Sequence, residues 1–256
     1  MDNALLIGLS RQVALRRNLE VVANNIANVN TTGYKSDSLI FEKFLMPEAS
    51  SGEFPSDSRQ VDYVRDRATW HNFGAGPIQR TGDPLDVAID GNAFLVVQTA
   101  GGQRYTRNGA LQISSTGALV TNMGDPVLGV GGPIQFQNTD HDISIGEDGT
   151  ITVREGASAT SDSTRGQLQL AHFDNASQLQ KQGSSLFLAP PGVTPQPAPL
   201  TVRVVQGSIE QSNVSAVSEM TRMIEITRTY EQIASILQQE NVERTTALDK
   251  LSAVPA

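Results

Sequence analysis

Few residues in this chain could do acid–base or metal chemistry, and they are scattered. Glu147 and Asp148 stand side by side, the pairing of carboxylates that a glycosidase uses as acid and base. They sit between Gly146 and Gly149, where acidic residues commonly serve turns. Asp140-His141-Asp142-Ile143-Ser144-Ile145 opens like a calcium loop, yet Ile145 holds the sixth position, where glycine is needed, and no Glu stands at the twelfth. It reads as a polar loop entering a strand. Gly129-Val130-Gly131-Gly132-Pro133 is glycine-rich, but its proline bars a phosphate-binding helix start and the run reads as a β-turn. Trp70-His71 with Phe73 reads as a small hydrophobic anchor. His71, His141 and His172 lie far apart, and there is no cysteine, so thiolate metal sites, disulfides and cysteine nucleophiles are excluded. No Walker, G-x-S-x-G, H-E-x-x-H or G-x-G-x-x-G sequence occurs. The expectation is no catalytic residue, no metal, no cofactor and no small-molecule substrate. Two rivals remain: a hydrolase using Glu147 or Asp148, and a secreted carbohydrate-binding β module. One Trp and four Tyr are few for the second.

The unusual polar chemistry is amide chemistry. Residues 23 to 35 read A-N-N-I-A-N-V-N-T-T-G-Y-K. Asn is a poor helix former, yet Asn24, Asn25 and Asn28 fall in a segment of helical periodicity. They are spaced to share a helix face. One reading is a fraying helix end. The other is that the amides bond to a neighbouring chain and fix register, as buried amides do in helix seams. Across the whole chain, 22 Ser, 20 Thr, 19 Gln and 14 Asn outnumber the charged residues, which make up 18 %.

Two elements must position these groups. Residues 3 to about 29 read as a helix, with Leu15, Leu19, Val22, Ile26 and Val29 on one seam and Leu5, Leu6, Leu9 and Val13 extending it. Gly8 is its weak point, and Gly33 can take the left-handed conformation after its end. A second helix is expected from Ser212 or Asn213, followed by Val214. It carries a seam of Met223, Ile226, Tyr230, Ile233 and Leu237, widened by Val217, Met220, Ile224 and Ile236. Methionine at such spacing packs uneven seams. At ~1.5 Å per residue these helices are too long for the inside of a compact domain. Between them, Gly and Pro recur among short β-branched and aromatic runs, the pattern of an antiparallel β domain.

Strands are expected at 85–89, 93–99, 103–106, 110–113, 118–121, 126–129, 143–146, 150–153, 167–173, 186–189 and 200–205, with Asp90-Gly91-Asn92 as a hairpin turn. Residues 155–165 read as a surface loop, 50–60 as a loop and 189–199 as an extended connector. YKSDSLIFEKFL reads as a strand pair or a short helix. The fold class is α+β: terminal helices pairing as an antiparallel coiled coil around a central antiparallel β domain. The segments are 1–33, 34–80, 81–205 and 206–256.

A net charge of −8 with only four Lys argues against nucleic-acid binding. No run reaches the ~18 apolar residues of a membrane span. The first twenty residues lack a signal-peptide core, being broken by Arg11, Arg16 and Arg17.

ANNIANVNTTGYK after an amphipathic helix, LDVAIDGNAFLVVQTAGGQRYTRNGALQISSTGALVTNMGDPVLGVGGPI in the middle, and QGSIEQSNVSAVSEMTRMIEITRTYE leading the last helix resemble the flagellar basal-body rod and hook family. The resemblance spans nearly the whole chain. The length and opening residues look like the proximal-rod members, with the distal-rod members as the near alternative. EITRTYE departs from the family's usual run and puts Thr227 and Thr229 in doubt as contact residues. The resemblance implies a structural subunit of the proximal rod that stacks helically with copies of itself and other rod proteins. Such an assembly transmits torque and encloses an export channel. It further implies location in the basal body, export through the flagellar type III apparatus without a cleaved signal, and no membrane span. The candidate assembly residues are Leu5, Leu9, Leu19, Val22, Asn24, Asn25, Ile26, Asn28, Thr32, Gly33, Tyr34, Lys35, Ser212, Asn213, Val214, Met220, Met223, Ile224, Tyr230, Ile233 and Leu237.

Overall fold

A computed structural model describes residues 2–45, 62–156, 162–183 and 185–252. The expected loop over 50–60 lies outside them. The chain packs as two units: residues 1–27, 37–71 and 215–256 form one, and residues 28–36 and 72–214 form the other.

The first unit is built on the two helices, α1 (Asp2–Ala27) and α2 (Ala216–Ser252). Their apolar seams face each other. Ala14, Val21 and Val22 of α1 and Ile226 of α2 are buried. Leu15, Leu19, Ile26, Met223, Tyr230, Ile233 and Leu237 are half-buried around them. A Cβ on Gly8 would lie 2.6 Å from Leu237 Cδ2, while Asn25 Nδ2 lies 3.3 Å from Glu219 Oε2. Advancing along α1 thus means moving back along α2, and the pair is antiparallel. Gly8, a weak helix residue, is where Leu237 seats, because no side chain occupies that spot. Helix α1 ends at Ala27, two residues before the expected end. Asn28 then turns the chain, its carbonyl accepting from the Thr31 N–H at 3.1 Å and its side-chain oxygen from the Thr31 hydroxyl at 3.1 Å. Helix α2 begins later than expected, with Ser215 at the cap. Its carbonyl accepts the Glu219 N–H at 3.0 Å.

The same unit holds β1 (Asp37–Leu45) and β2 (Asp62–His71), antiparallel from Asp37↔His71 to Leu45↔Asp62 with an irregularity between Ile40 and Phe41. YKSDSLIFEKFL therefore supplies a single long strand, neither a helix nor a pair, and its partner is DYVRDRATWH. His71 Nδ1 stands 2.6 Å from Asp37 Oδ1 at the start of this ribbon. Trp70 is exposed, so the expected anchor is not Trp70.

The second unit is an antiparallel β domain. Its strands are β3 (Ile78–Arg80), β4 (Val87–Asp90), β5 (Phe94–Thr99), β6 (Gly102–Thr106), β7 (Leu111–Ile113), β8 (Leu119–Thr121), β9 (Leu128–Gly129), β10 (Gly132–Pro133), β11 (Asp140–Ile145), β12 (Thr150–Glu155), β13 (Asp162–Gln167), β14 (Leu170–His172), β15 (Gln180–Lys181), β16 (Leu186–Leu188), β17 (Gln196–Pro197), β18 (Arg203–Gln206) and β19 (Ser208–Glu210). The largest sheet runs β15-β16-β6-β5-β14-β17, and a second runs β11-β12-β13. Strand β5 is central and covered on both faces. Leu95 and Val97 join one core with Val87, Leu119, Val127, Ile151 and Leu168. Phe94 and Val96 join the other with Tyr105, Phe173 and Phe187, against which Phe73 packs. The rings meet edge to face, Phe73 at 5.0 Å from Phe187 and Tyr105 at 4.8 Å from Phe173, the geometry the ring quadrupole prefers.

Three expectations for this unit are corrected. Asp90-Gly91-Asn92 does not close a hairpin. Strand β4 pairs with β18 and β5 with β6 and β14, because Arg107 Nη1 donates to the carbonyls of Gly91 at 2.8 Å and Ala93 at 2.7 Å and holds the chain in a corner. Of residues 155–165, expected in a loop, 162–165 belong to β13, which pairs with β12; residues 157–161 lie outside the described residues. Within 189–199, Gln196–Pro197 pairs with β14 as an edge strand, where proline needs no donor.

Asp140 receives two bonds from Arg165, at 2.7 and 2.6 Å. With the Gln137 N–H they hold its carboxyl below the ordinary value. A depressed native pKa contributes stability above the unfolded value, ~3.9 for Asp, and loses it as pH falls through the native value. Asp140→Asn is therefore expected to be less stable than the parent at pH 7, and the gap in urea midpoint should shrink steadily below about pH 4. A Cβ on Gly109 would lie 1.7 Å from the Val87 carbonyl oxygen, so Gly109→Ala should cost about 3 kcal/mol in urea unfolding with an unchanged slope.

Candidate assembly interface

The polar residues at the two helix junctions are organised by one buried carboxylate. Glu210, at the end of β19, is 1 % exposed. Lys35 Nζ bonds its Oε1 at 2.6 Å, and the Gly76 N–H bonds the same oxygen at 2.8 Å. Arg107 Nε lies 3.0 Å from Oε2, a contact of charge whose angle is not that of an aligned hydrogen bond. Two cations thus meet one anion. The surplus positive charge is solvated by carbonyls: Gly74 O at 2.8 Å from Lys35 Nζ, and those of Gly91 and Ala93 on Arg107. Burial pushes the Lys35 amine below its ordinary value, against the pull of Glu210. Burial likewise lowers Arg107, with Glu210 and Asp90 opposing.

The backbone follows this cluster. Gly33 donates its N–H to the Glu210 carbonyl at 2.8 Å. It adopts φ +67, and a Cβ there would meet Arg107 backbone at 2.4 Å, so only glycine fits. Tyr34 is buried with Lys181 Nζ 3.7 Å above its ring, and Lys181 also donates to the Lys35 carbonyl at 3.2 Å. Asn213 accepts the Ser36 N–H at 2.8 Å and donates to the carbonyls of Asn72 and Gly74. Ser212 is buried and accepts the Val214 N–H at 3.2 Å. Neither Ser212 nor Asn213 caps α2; Asn213 ties the segments around Ser36 and residues 72–74 together. Thr32 is half-buried beside them.

In the helical unit, Asn25 is fully buried. Its side chain grips the backbone of Asp37, donating to the carbonyl at 2.9 Å and accepting the N–H at 2.9 Å. Its amide thus holds its own chain, the task expected of it toward a neighbouring one. Asn24, by contrast, is exposed. Leu9, Val13, Val217, Met220, Ile224, Ile236 and Val242 are also more than half or about half exposed. Leu5 lies in α1, outside the residues whose side chains are described. The candidates therefore separate into a buried set, which holds the chain together, and an exposed apolar set on the helices. Arg107 and Glu210 were missed by sequence reasoning, because a partner 175 residues from Lys35 leaves no local spacing signal.

The rival chemistries fare differently. Asp148 is bonded by the Thr150 hydroxyl and N–H at 2.6 and 3.0 Å. These hold its carboxyl below the ordinary value, the wrong direction for a general acid. Glu147 faces Arg203 at 3.3 Å on the surface. Asp140 and Asp142 of the calcium-like run pair with Arg165 and Arg154 on a strand, not a loop. Asn25→Ala should remove the two side-chain bonds to the Asp37 N–H and carbonyl. It is expected to cost about 2 kcal/mol, read as faster hydrogen exchange at the Asp37 amide.

Three family models match in chain order: "Flagella basal body rod protein" over residues 5–35, "Flagellar hook protein FlgE/F/G D1 domain" over residues 88–153, and "Flagellar basal body rod FlgEFG protein C-terminal" over residues 205–242. The chain is 38 % identical over 255 residues to the flagellar basal-body rod protein FlgF of Caulobacter vibrioides, covering 99 % of this chain and 100 % of the relative. It is 32 % identical to FlgF of Mesorhizobium japonicum over 93 % of each chain. It is 31 % identical to the rod protein FlgG of Bacillus subtilis, over 93 % of this chain and 94 % of the relative. The matched segments contain the buried cluster's Lys35, Arg107 and Glu210 and most of the facing helices. The chain belongs to the flagellar basal-body rod protein family, a family of structural subunits and not of enzymes.

Proposed function

We propose that the chain is a proximal-rod subunit that assembles with copies of itself and with other rod subunits through the exposed apolar residues of its helix pair. The observation that carries this is the stripe left outside the α1–α2 seam. Val217 is 75 % exposed, and Met220 and Ile224 are each 53 % exposed, in the first turns of α2. On α1, Leu9 and Val13 are 54 % and 51 % exposed. A helix that has one apolar seam covered and keeps a second in water gains stability only when another surface covers it. The near neutrality of the helices supports contact between like chains. Residues 1–30 carry three basic and two acidic side chains, and residues 213–256 carry four and six.

A head-to-tail contact of this kind propagates as a tube when it does not close. Repeated around an axis, it encloses a channel and carries torque from one subunit to the next. Export through the flagellar type III apparatus without a cleaved signal completes the reading. It is supported by a cysteine-free chain that contains, among the described residues, no helix long and apolar enough to cross a membrane.

Met220→Glu/Ile224→Glu changes only exposed positions and should leave subunit stability within about 0.5 kcal/mol. It should abolish swimming and leave basal bodies without a complete rod in electron micrographs. Normal rods and normal swimming would overturn the proposal. Locating the subunit in partly built basal bodies separates the proximal from the distal position.

A further inference from the structure

The Lys35–Glu210–Arg107 cluster has an energetic property that assembly does not use. Each charge is stripped of water: Lys35 is 0 % exposed, Glu210 1 % and Arg107 4 %. On Lys35 the desolvation outweighs the attraction of Glu210. The groups come from three distant stretches of chain, with Glu210 175 positions after Lys35. Without Glu210 the two cations repel, since Arg107 itself disfavours the charge on Lys35. Glu210 is the anion that holds the two cations together, so all three charges lose their water at one place. The β5–β6 ladder, by contrast, joins neighbouring stretches, Thr99↔Gly102 to Leu95↔Thr106, and needs little loop closure.

We propose that the cluster is a kinetic brake: its closing is the last and rate-limiting step in folding of the β unit. Buried ions must shed water before they meet, which raises the barrier even where the finished set is stable. Contacts of high sequence separation form late. The other charged groups facing the cluster, Lys181 at the Lys35 carbonyl and Asp90 near Arg107, leave this order unchanged. Lys181 touches the backbone carbonyl of Lys35 and not its amine, and Asp90 pulls on Arg107. Joined to the export reading, a β unit that closes slowly keeps the chain threadable for longer; the folding experiment below stands or falls without that reading.

Pulse-labelled hydrogen exchange during refolding of the full chain tests the order directly. The Gly33 and Gly76 N–H groups, which bond the Glu210 carbonyl and carboxylate, should gain protection in a later phase than the β5–β6 amides. Protection in the same or an earlier phase would overturn the brake. Lys35→Met/Glu210→Gln removes one cation and the anion. Gln can still accept the Gly76 N–H, Gly74 O keeps its bond from Asn213, and Arg107 keeps its carbonyls. This variant should refold about tenfold faster; a refolding rate equal to or below the parent's would equally overturn the proposal. Should the variant not fold, the labelling order in the parent chain decides.

Discussion

Glu210 is the group on which the β unit most depends. A carboxylate cannot be buried without partners, and the chain meets that demand by drawing Lys35, Arg107 and the Gly76 N–H onto its two oxygens. Each partner then imposes something further. Lys35 fixes the segment that follows α1 in sequence. Arg107 holds the corner at residues 89–93 that sends β4 and β5 into different sheets. Gly76 places the segment that leads into β3. Gly33 must be glycine because this packing brings the Arg107 backbone against it. A single desolvated charge thus accounts for a left-handed glycine, a strand corner and the tie between chain segments far apart in sequence.

The helical unit solves a smaller version of the same problem with an amide. Asn25 stands in a seam otherwise made of Ala14, Val21, Val22 and Ile226, where a polar side chain is costly unless satisfied. It is satisfied by both backbone groups of Asp37, so the polar residue specifies where the β1–β2 ribbon starts. Asparagine suits this role because it alone among short side chains offers a donor and an acceptor side by side. The family resemblance marked this stretch as important. The geometry ties Asn25 to the subunit's own fold, while Leu9, Met220 and Ile224 stay exposed on the helices.

The same distinction separates a structural protein from the enzymes its carboxylates first suggested. Glu147 and Asp148 serve a turn and a surface ion pair, and Asp140 and Asp142 serve arginines across a three-stranded sheet. Each of these four carboxylates is met by an arginine or by Thr150.

The sequence by itself determined the elements whose signal is periodic or local. The two helices and their facing seams were legible because 3–4 spacing of Leu19, Val22, Ile26 and of Met223, Ile226, Tyr230 reports one face of a helix directly. The β strands were legible because Gly and Asn-Gly punctuation reports turns within a few residues. Tertiary structure alone decided which strands pair, as at Asp90-Gly91-Asn92, where local turn chemistry suggested a hairpin and the distant Arg107 made a corner. It alone decided that Lys35 and Asn25 face inward, and that Phe73, Phe94, Phe173 and Phe187 form one aromatic core. The reason is physical. Periodicity and turn propensity act between neighbours along the chain, whereas burial of a charge is settled by whichever groups, however remote in sequence, can replace the water it loses.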